Sequence, residues 1–201
     1  MIDKCPARKY NNTVEEPTLK ICKYGDAVLK VKAHVITDIN QHIADLAKAM
    51  AQTMHRAPGI GLAAPQVGES VQLVTLDLTV GEIPEELLVL INPQITAAEG
   101  FEINEEGCLS VPGYSLPVKR NAKIFLQATL LDGSELRMEF EGLKARVLQH
   151  EIDHLAGVLF IDRLDVAARR EAMKAIREAE WSGLSVPAVK VSPHATRGLA
   201  L

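Results

Sequence analysis

Gly142-Leu143-Lys144-Ala145-Arg146-Val147-Leu148-Gln149-His150-Glu151-Ile152-Asp153-His154-Leu155 decides how this chain is read. Leu143, Val147, Leu148, Leu155 and the following Ala156 recur at helical spacing as candidate buried positions, and Gly157 supplies a stop, so one helix is expected here. Positions i and i+4 of a helix lie about 40° apart in arc and roughly 6 Å apart in rise, so His150 and His154 can direct both imidazoles at one ion. Glu151 then falls beside that ion. A carboxylate there suits proton transfer from an attacking water better than ligation, which points to a metal-dependent hydrolase.

The third ligand has to come from elsewhere. Cys108, within Glu106-Gly107-Cys108-Leu109-Ser110, lies in a segment with no sign of helix, and a Cys/His/His set leaves a fourth position for water, as catalytic sites require. The rival is a zinc protease of the zincin type, which takes its third ligand downstream. Its extended form needs a histidine where this chain has Phe160, so that subclass is excluded. Glu171 or Glu178 of the following helix stays open on spacing alone but leaves the Cys108 segment unexplained.

Working outward, Ile39 to His55 carries apolar residues at helical spacing behind a plausible Asp38 N-cap, with Ala57-Pro58-Gly59 as its stop. Gly59 to Gly68 reads as an irregular loop requiring close backbone approach. Its G-x-G follows a helix and lacks a third glycine in register, which rejects a nucleotide-binding turn. Val71 to Leu78, Leu87 to Ile91 and Lys123 to Leu131 favour strands, and Asp132-Gly133 turns the last into Glu135 to Phe140. A final helix is expected from an Asp165 N-cap to about Glu180. Its mixed charges read as a solvated face.

The 201 residues, with 47% hydrophobic and 24% charged side chains and a formal charge of −4, fit one globular domain and give no electrostatic reason to expect nucleic-acid binding. No signal-peptide pattern or membrane-length apolar run is visible, so a cytoplasmic location is expected, without membrane association. Three cysteines are too few and too irregular for a disulfide scaffold. Cys5 is read as a tail residue, Cys22 as core, and His34, His42, His55 and His194 as ordinary solvated side chains.

Three segments then agree: Gly59 to Gly68 as G-I-G-L-A-A-P-Q-V-G, Glu106 to Ser110 as E-G-C-L-S, and Gln149 to His154 as Q-H-E-I-D-H. Together they resemble peptide deformylase. The likeness extends through Tyr24-Gly25-Asp26 with Leu29 and through Asp132-Gly133, covering about residues 20 to 164. It implies removal of the formyl group from the N-terminal formylmethionine of newly made polypeptides, with release of formate. It makes Cys108, His150 and His154 ligands of one divalent ion, with Fe²⁺ the expected native metal and Zn²⁺ or Ni²⁺ its substitutes in purified protein. It makes Glu151 the acid/base, and Gln66 and the Leu109 backbone N–H donors to the formyl oxygen. Gly59, Ile60, Gly61 and Gly107 match a substrate path. Ile60, Leu143, Val147 and the His150 ring match a methionine pocket, with the Arg146 stem alongside and its guanidinium expected to point outward. Glu106 and Arg120 resemble an ion pair that holds the cysteine loop.

Two departures touch rigidity and pocket breadth: Ala27 stands where the family often has proline, and Asn104 where an apolar pocket residue is common. A metal-binding protein without turnover is the alternative of a different class. The expected architecture is α+β: mostly antiparallel strands around a central metal-binding helix, with one helix in the N-terminal half and another at the C-terminal end. Residues 1–18 are read as an extension, 19–182 as one catalytic domain and 183–201 as a tail. Expected partners are N-formylmethionyl nascent chains, with transient ribosome contact.

Overall fold

The computed structural model describes residues 18–181. The extension before residue 18, the tail from residue 182, Cys5 and His194 lie outside the described residues. Three helices and seven strands run in the order α1 (Gln41–Arg56), β1 (Gly61–Ala63), β2 (Leu73–Leu76), β3 (Leu88–Glu99), β4 (Glu102–Cys108), β5 (Val111–Arg120), β6 (Lys123–Thr129), β7 (Glu135–Glu141), α2 (Gly142–Leu155) and α3 (Val166–Trp181). Five of the strands form an antiparallel sheet in the order β1-β2-β3-β6-β7, and β4-β5 is a separate hairpin. This is the α+β architecture expected. No described helix is long and apolar enough to cross a membrane.

Helix α2 is central because almost every side chain after its first turn is buried. Leu148 and Leu155 join Leu76, Leu90, Ile124 and Leu126 of the sheet in one apolar cluster. Ala156 does not share in this. As the helix cap it is exposed, because the chain turns away there, and Leu143 is only half-buried. The turn is enforced by Gly157: its φ is +74°, and a Cβ would meet the Lys30 backbone at 2.8 Å.

Helix α1 lays Ile43, Leu46, Ala47, Met50 and Met54 against Leu62, Leu73 and Ile91. Its N-cap is Asn40, not Asp38: Asn40 Oδ1 accepts from the Ile43 N–H at 3.3 Å, and Asp38 instead accepts from the Asn40 amide at 3.0 Å. His55 is not simply solvated, since its Nε2 lies 2.8 Å from the carboxylate of fully buried Asp77. Cys22 is half-buried, less enclosed than a core cysteine. The Asp165 cap is present, with Oδ1 accepting from the Ala168 N–H at 2.8 Å, and α3 packs Ala172 and Ile176 on Phe160 and Ile161.

Strand β3 runs well beyond the expected end at Ile91. Asn92 adopts φ +51°, but register shifts absorb it and pairing with β6 carries the strand to Glu99. The β4-β5 hairpin is not among the expected strands. In β5 Tyr114, Leu116 and Val118 do alternate with Ser115, Pro117 and Lys119, but Pro112, Gly113 and Pro117 interrupt the signal, and Glu102, Asn104 and Glu105 leave β4 without an apolar face. Within the expected Gly59–Gly68 loop, β1 and a short 3₁₀ turn at Ala64–Val67 are regular.

Candidate metal centre

Two elements far apart in sequence meet under the sheet. Cys108 ends β4 at a register shift that turns its thiol inward, where the Ser110 N–H donates to Sγ at 3.4 Å. Helix α2 supplies His150 and His154, whose ring centroids are 5.0 Å apart. One donor atom from each of Cys108, His150 and His154 lies within 4.8 Å of the others, and Cys108 Sγ is 3.3 Å from His154 Nε2. Among the described residues this is the one such cluster. Glu171 and Glu178 sit exposed on α3 and take no part, while the buried Phe160 ring stacks on His150 at 6.1 Å.

The surroundings orient the donors. His150 Nδ1 lies 3.0 Å from Glu106 Oε2, which leaves Nε2 for the cluster. Glu106 in turn accepts two bonds of 2.9 Å from Arg120 and one of 2.6 Å from Arg146. Burial works to raise the Glu106 carboxyl, but His150 and Arg120 outweigh it and hold it at about 2. Arg120 also reaches Asp153 at 2.5 Å, so the buried charges of Glu106, Arg120, Arg146 and Asp153 lock β4, β5 and α2 together, with half-exposed Arg163 pairing to Asp153 at the edge. The expected Glu106–Arg120 pair is present. The guanidinium of Arg146 does not point outward as expected: it is buried because Glu106 and the carbonyls of Val118 and Glu102 supply its partners.

The two imidazoles are pushed in opposite directions. Burial disfavours charge on both, but hydrogen bonds to Cys108 and Glu106 hold His150 well above the ordinary value, whereas burial and the neighbouring His150 hold His154 well below it. His154 Nδ1 and Glu151 Oε2 are buried without hydrogen-bond partners. Burial pushes the Glu151 carboxyl up to about 7, with His150 opposing it. A soft thiolate, two imidazoles and an unpartnered carboxylate alongside fit a single late first-row divalent ion with an open position.

Gln66 completes the wall. Its Oε1 accepts from the Ala63 N–H at 2.8 Å, which fixes the amide so that Nε2 faces Cys108 Sγ at 3.6 Å and Ser110 Oγ at 3.4 Å. A cavity of about 560 Å³ opens over this corner; Gly59, Ile60, Gly61, Gly107, Leu109 and Val147 line it. Leu143 is not on that wall but packs on the sheet core. Gly61 is held to glycine, because a Cβ would stand 2.5 Å from Glu151 Oε1 and 2.6 Å from Val147 Cγ1. Sequence reasoning missed the clamp from the N-terminal segment: Cys22 N donates to Gln66 O at 2.7 Å, Lys23 Nζ to Leu109 O at 2.7 Å and Tyr24 N to Ser110 O at 2.8 Å. No local pattern announces these contacts. It also missed Tyr114 and Pro112, brought to the cavity by β5.

Comparison with known proteins places these features in context. The sequence profile described as polypeptide deformylase matches residues 18–170. A peptide deformylase of Acidothermus cellulolyticus is 46% identical over 180 residues, covering 89% of this chain and 96% of its own. Among solved structures, a Synechococcus elongatus peptide deformylase in complex with actinonin is 41% identical with a TM-score of 0.75, covering 80% of this chain and 88% of its own. A class I type b deformylase of Acinetobacter baumannii with Met-Ala-Ser bound is 32% identical with a TM-score of 0.69, covering 74% and 99%.

Proposed function

The chain belongs to the polypeptide deformylase family, and we propose that within it Cys108, His150 and His154 hold the single metal ion while Glu151 moves the proton. The enzyme removes the formyl group from the N-terminal formylmethionine of newly made proteins. The observation that carries the residue assignment is the donor cluster within 4.8 Å, with the unpartnered Glu151 carboxylate buried beside it.

When bound, the ion supplies Lewis acidity, polarising the formyl carbonyl and easing deprotonation of the attacking water. Glu151 Oε2 takes that proton and later delivers it to the leaving amine nitrogen, and formate departs. Burial favours the protonated Glu151 carboxyl whereas a cation bound beside it would favour the carboxylate, so the group is placed to take a proton and return it. Negative charge building on the formyl oxygen is met by Gln66 Nε2, preset by its bond to Ala63, and by the Leu109 N–H. The Lys23 and Tyr24 contacts hold the turn bearing that N–H. The Gly59-Ile60-Gly61 edge offers backbone groups to an extended peptide, with Ile60 and Val147 against the methionine side chain. The Acinetobacter relative bound to Met-Ala-Ser supports the same class of occupant here.

The donor set suits Fe²⁺ as native ion, with Zn²⁺ or Ni²⁺ as substitutes. Residues 19–182 serve as one catalytic unit acting on nascent chains in the cytoplasm, with transient contact to the ribosome. Formate release from formyl-Met-Ala-Ser by protein loaded anaerobically with Fe²⁺ tests the reading; absence of release sinks it.

A further inference from the structure

One peptide group beside the donor cluster carries a cation at one end and the thiol at the other. Lys23 Nζ donates to the Leu109 carbonyl at 2.7 Å, and the N–H of Ser110 donates to Cys108 Sγ at 3.4 Å. That carbonyl and that N–H belong to the same planar, conjugated unit, so density drawn toward the Lys23 ammonium leaves the Ser110 N–H a stronger donor. The unit is held in place. Tyr24 N donates to Ser110 O at 2.8 Å, and the Ser110 side chain is fully buried with its Oγ 3.4 Å from Gln66 Nε2. Gln66 Nε2 also faces Sγ, at 3.6 Å, but it is the amide that meets the formyl oxygen during reaction.

We infer that Lys23 is a positioning residue that acts through the peptide between Leu109 and Ser110 on the Cys108 thiolate, withdrawing electron density from the sulfur that holds the metal. This rests on the assignment of Cys108 as a ligand. A hydrogen bond from a charged donor is roughly twice as strong as one from a neutral donor, so an ammonium at the head of this relay polarises it more than any uncharged side chain. Hydrogen bonds to a ligating sulfur stabilise its donor electrons and so tune the ion without touching it. Lys23 itself is exposed at the cavity edge, which leaves the ammonium hydrated while its effect is delivered inward through the backbone.

Cobalt(II) reads the sulfur directly: its thiolate charge-transfer absorption follows the energy of the sulfur electrons, whereas its ligand-field bands follow coordination geometry. Wild-type protein loaded with Co²⁺ should show both. Lys23→Met keeps an unbranched side chain and removes the ammonium, so the charge-transfer band should move to longer wavelength while the ligand-field bands stay in place. Lys23→Arg restores a cation and should return the band toward its wild-type position. If Lys23→Met takes up no cobalt, the equally uncharged Lys23→Gln makes the same comparison. A charge-transfer band unmoved in the uncharged variant overturns the inference. So does joint movement of both sets of bands, which would make Lys23 a clamp on the turn and nothing more. A wild-type band that shifts when about 1 M NaCl screens exposed charges marks a field acting through solvent and overturns the relay. Bound Co²⁺ with no thiolate band in the wild-type protein is a different failure: it removes Cys108 from the ligand set and with it the site assignment on which the inference stands.

Discussion

Helix α2 and the β4-β5 hairpin each supply half of one site, yet they are built on opposite principles. The helix carries its chemistry in local spacing: His150, Glu151 and His154 fall together wherever a helix forms. The hairpin carries none. Cys108 faces the histidines only because a register shift between Gly107 and Cys108 turns the strand, and because Glu106, two residues earlier, is gripped by Arg120 and Arg146. Local periodicity thus marks the half that supplies geometry along one element, while the half that closes the site depends on contacts across the fold.

Removing the hairpin's contribution should have the largest effect. Cys108→Ala is expected to abolish stable metal binding and bring formate release to background, read by metal analysis of the purified protein. An ion retained at full stoichiometry would return the third ligand to some other residue. Breaking the helix half without touching a ligand separates chemistry from binding: Glu151→Gln should keep the ion and lose about 10²- to 10⁴-fold in kcat. Loss of metal in that variant would make Glu151 a ligand instead.

The join between the halves is Glu106. Glu106→Gln keeps the shape but weakens the hold on His150 Nδ1 and leaves Arg120 and Arg146 short of a counter-charge, so metal affinity should drop by about 10- to 100-fold in chelator competition. Unchanged affinity would mean that the helix alone orients His150. Asp77 provides the contrast, a buried carboxylate outside the cavity lining. Burial would raise it, but bonds from Thr79, Gly81 and His55 prevail and hold it below the usual carboxylate range. Its contribution is therefore complete above the ordinary carboxylate pKa and disappears as pH falls through the depressed native value. Asp77→Asn should cost about 1–3 kcal/mol at neutral pH and flatten the acid side of the stability profile, measured by denaturant unfolding between acid and neutral pH.

The legible parts of the molecule share one property: their residues interact within a turn or two of chain. Helices α1, α2 and α3, the Asp132-Gly133 hairpin and the His150/His154 pair are of this kind. What stayed hidden needed partners distant in sequence. Arg146 reads as a charged residue with its head in water, but it is buried because Glu106, Glu102 and Val118 converge on it. Ala156 reads as a core position and is exposed because Gly157 turns the chain over Lys30. Lys23 has no local signature, yet it holds the Leu109 carbonyl.

By itself the sequence determined the helical spacing of His150, Glu151 and His154, the alternatives for a third ligand and, through three agreeing segments, the family resemblance. The tertiary structure decided which thiol meets the imidazoles, which way the Gln66 amide faces, that Leu143 stays off the cavity wall and that the Arg146 guanidinium is buried against Glu106. The division follows from range. A periodic element places its side chains by its own backbone, whereas burial and hydrogen-bond partners exist only after distant strands have closed around it.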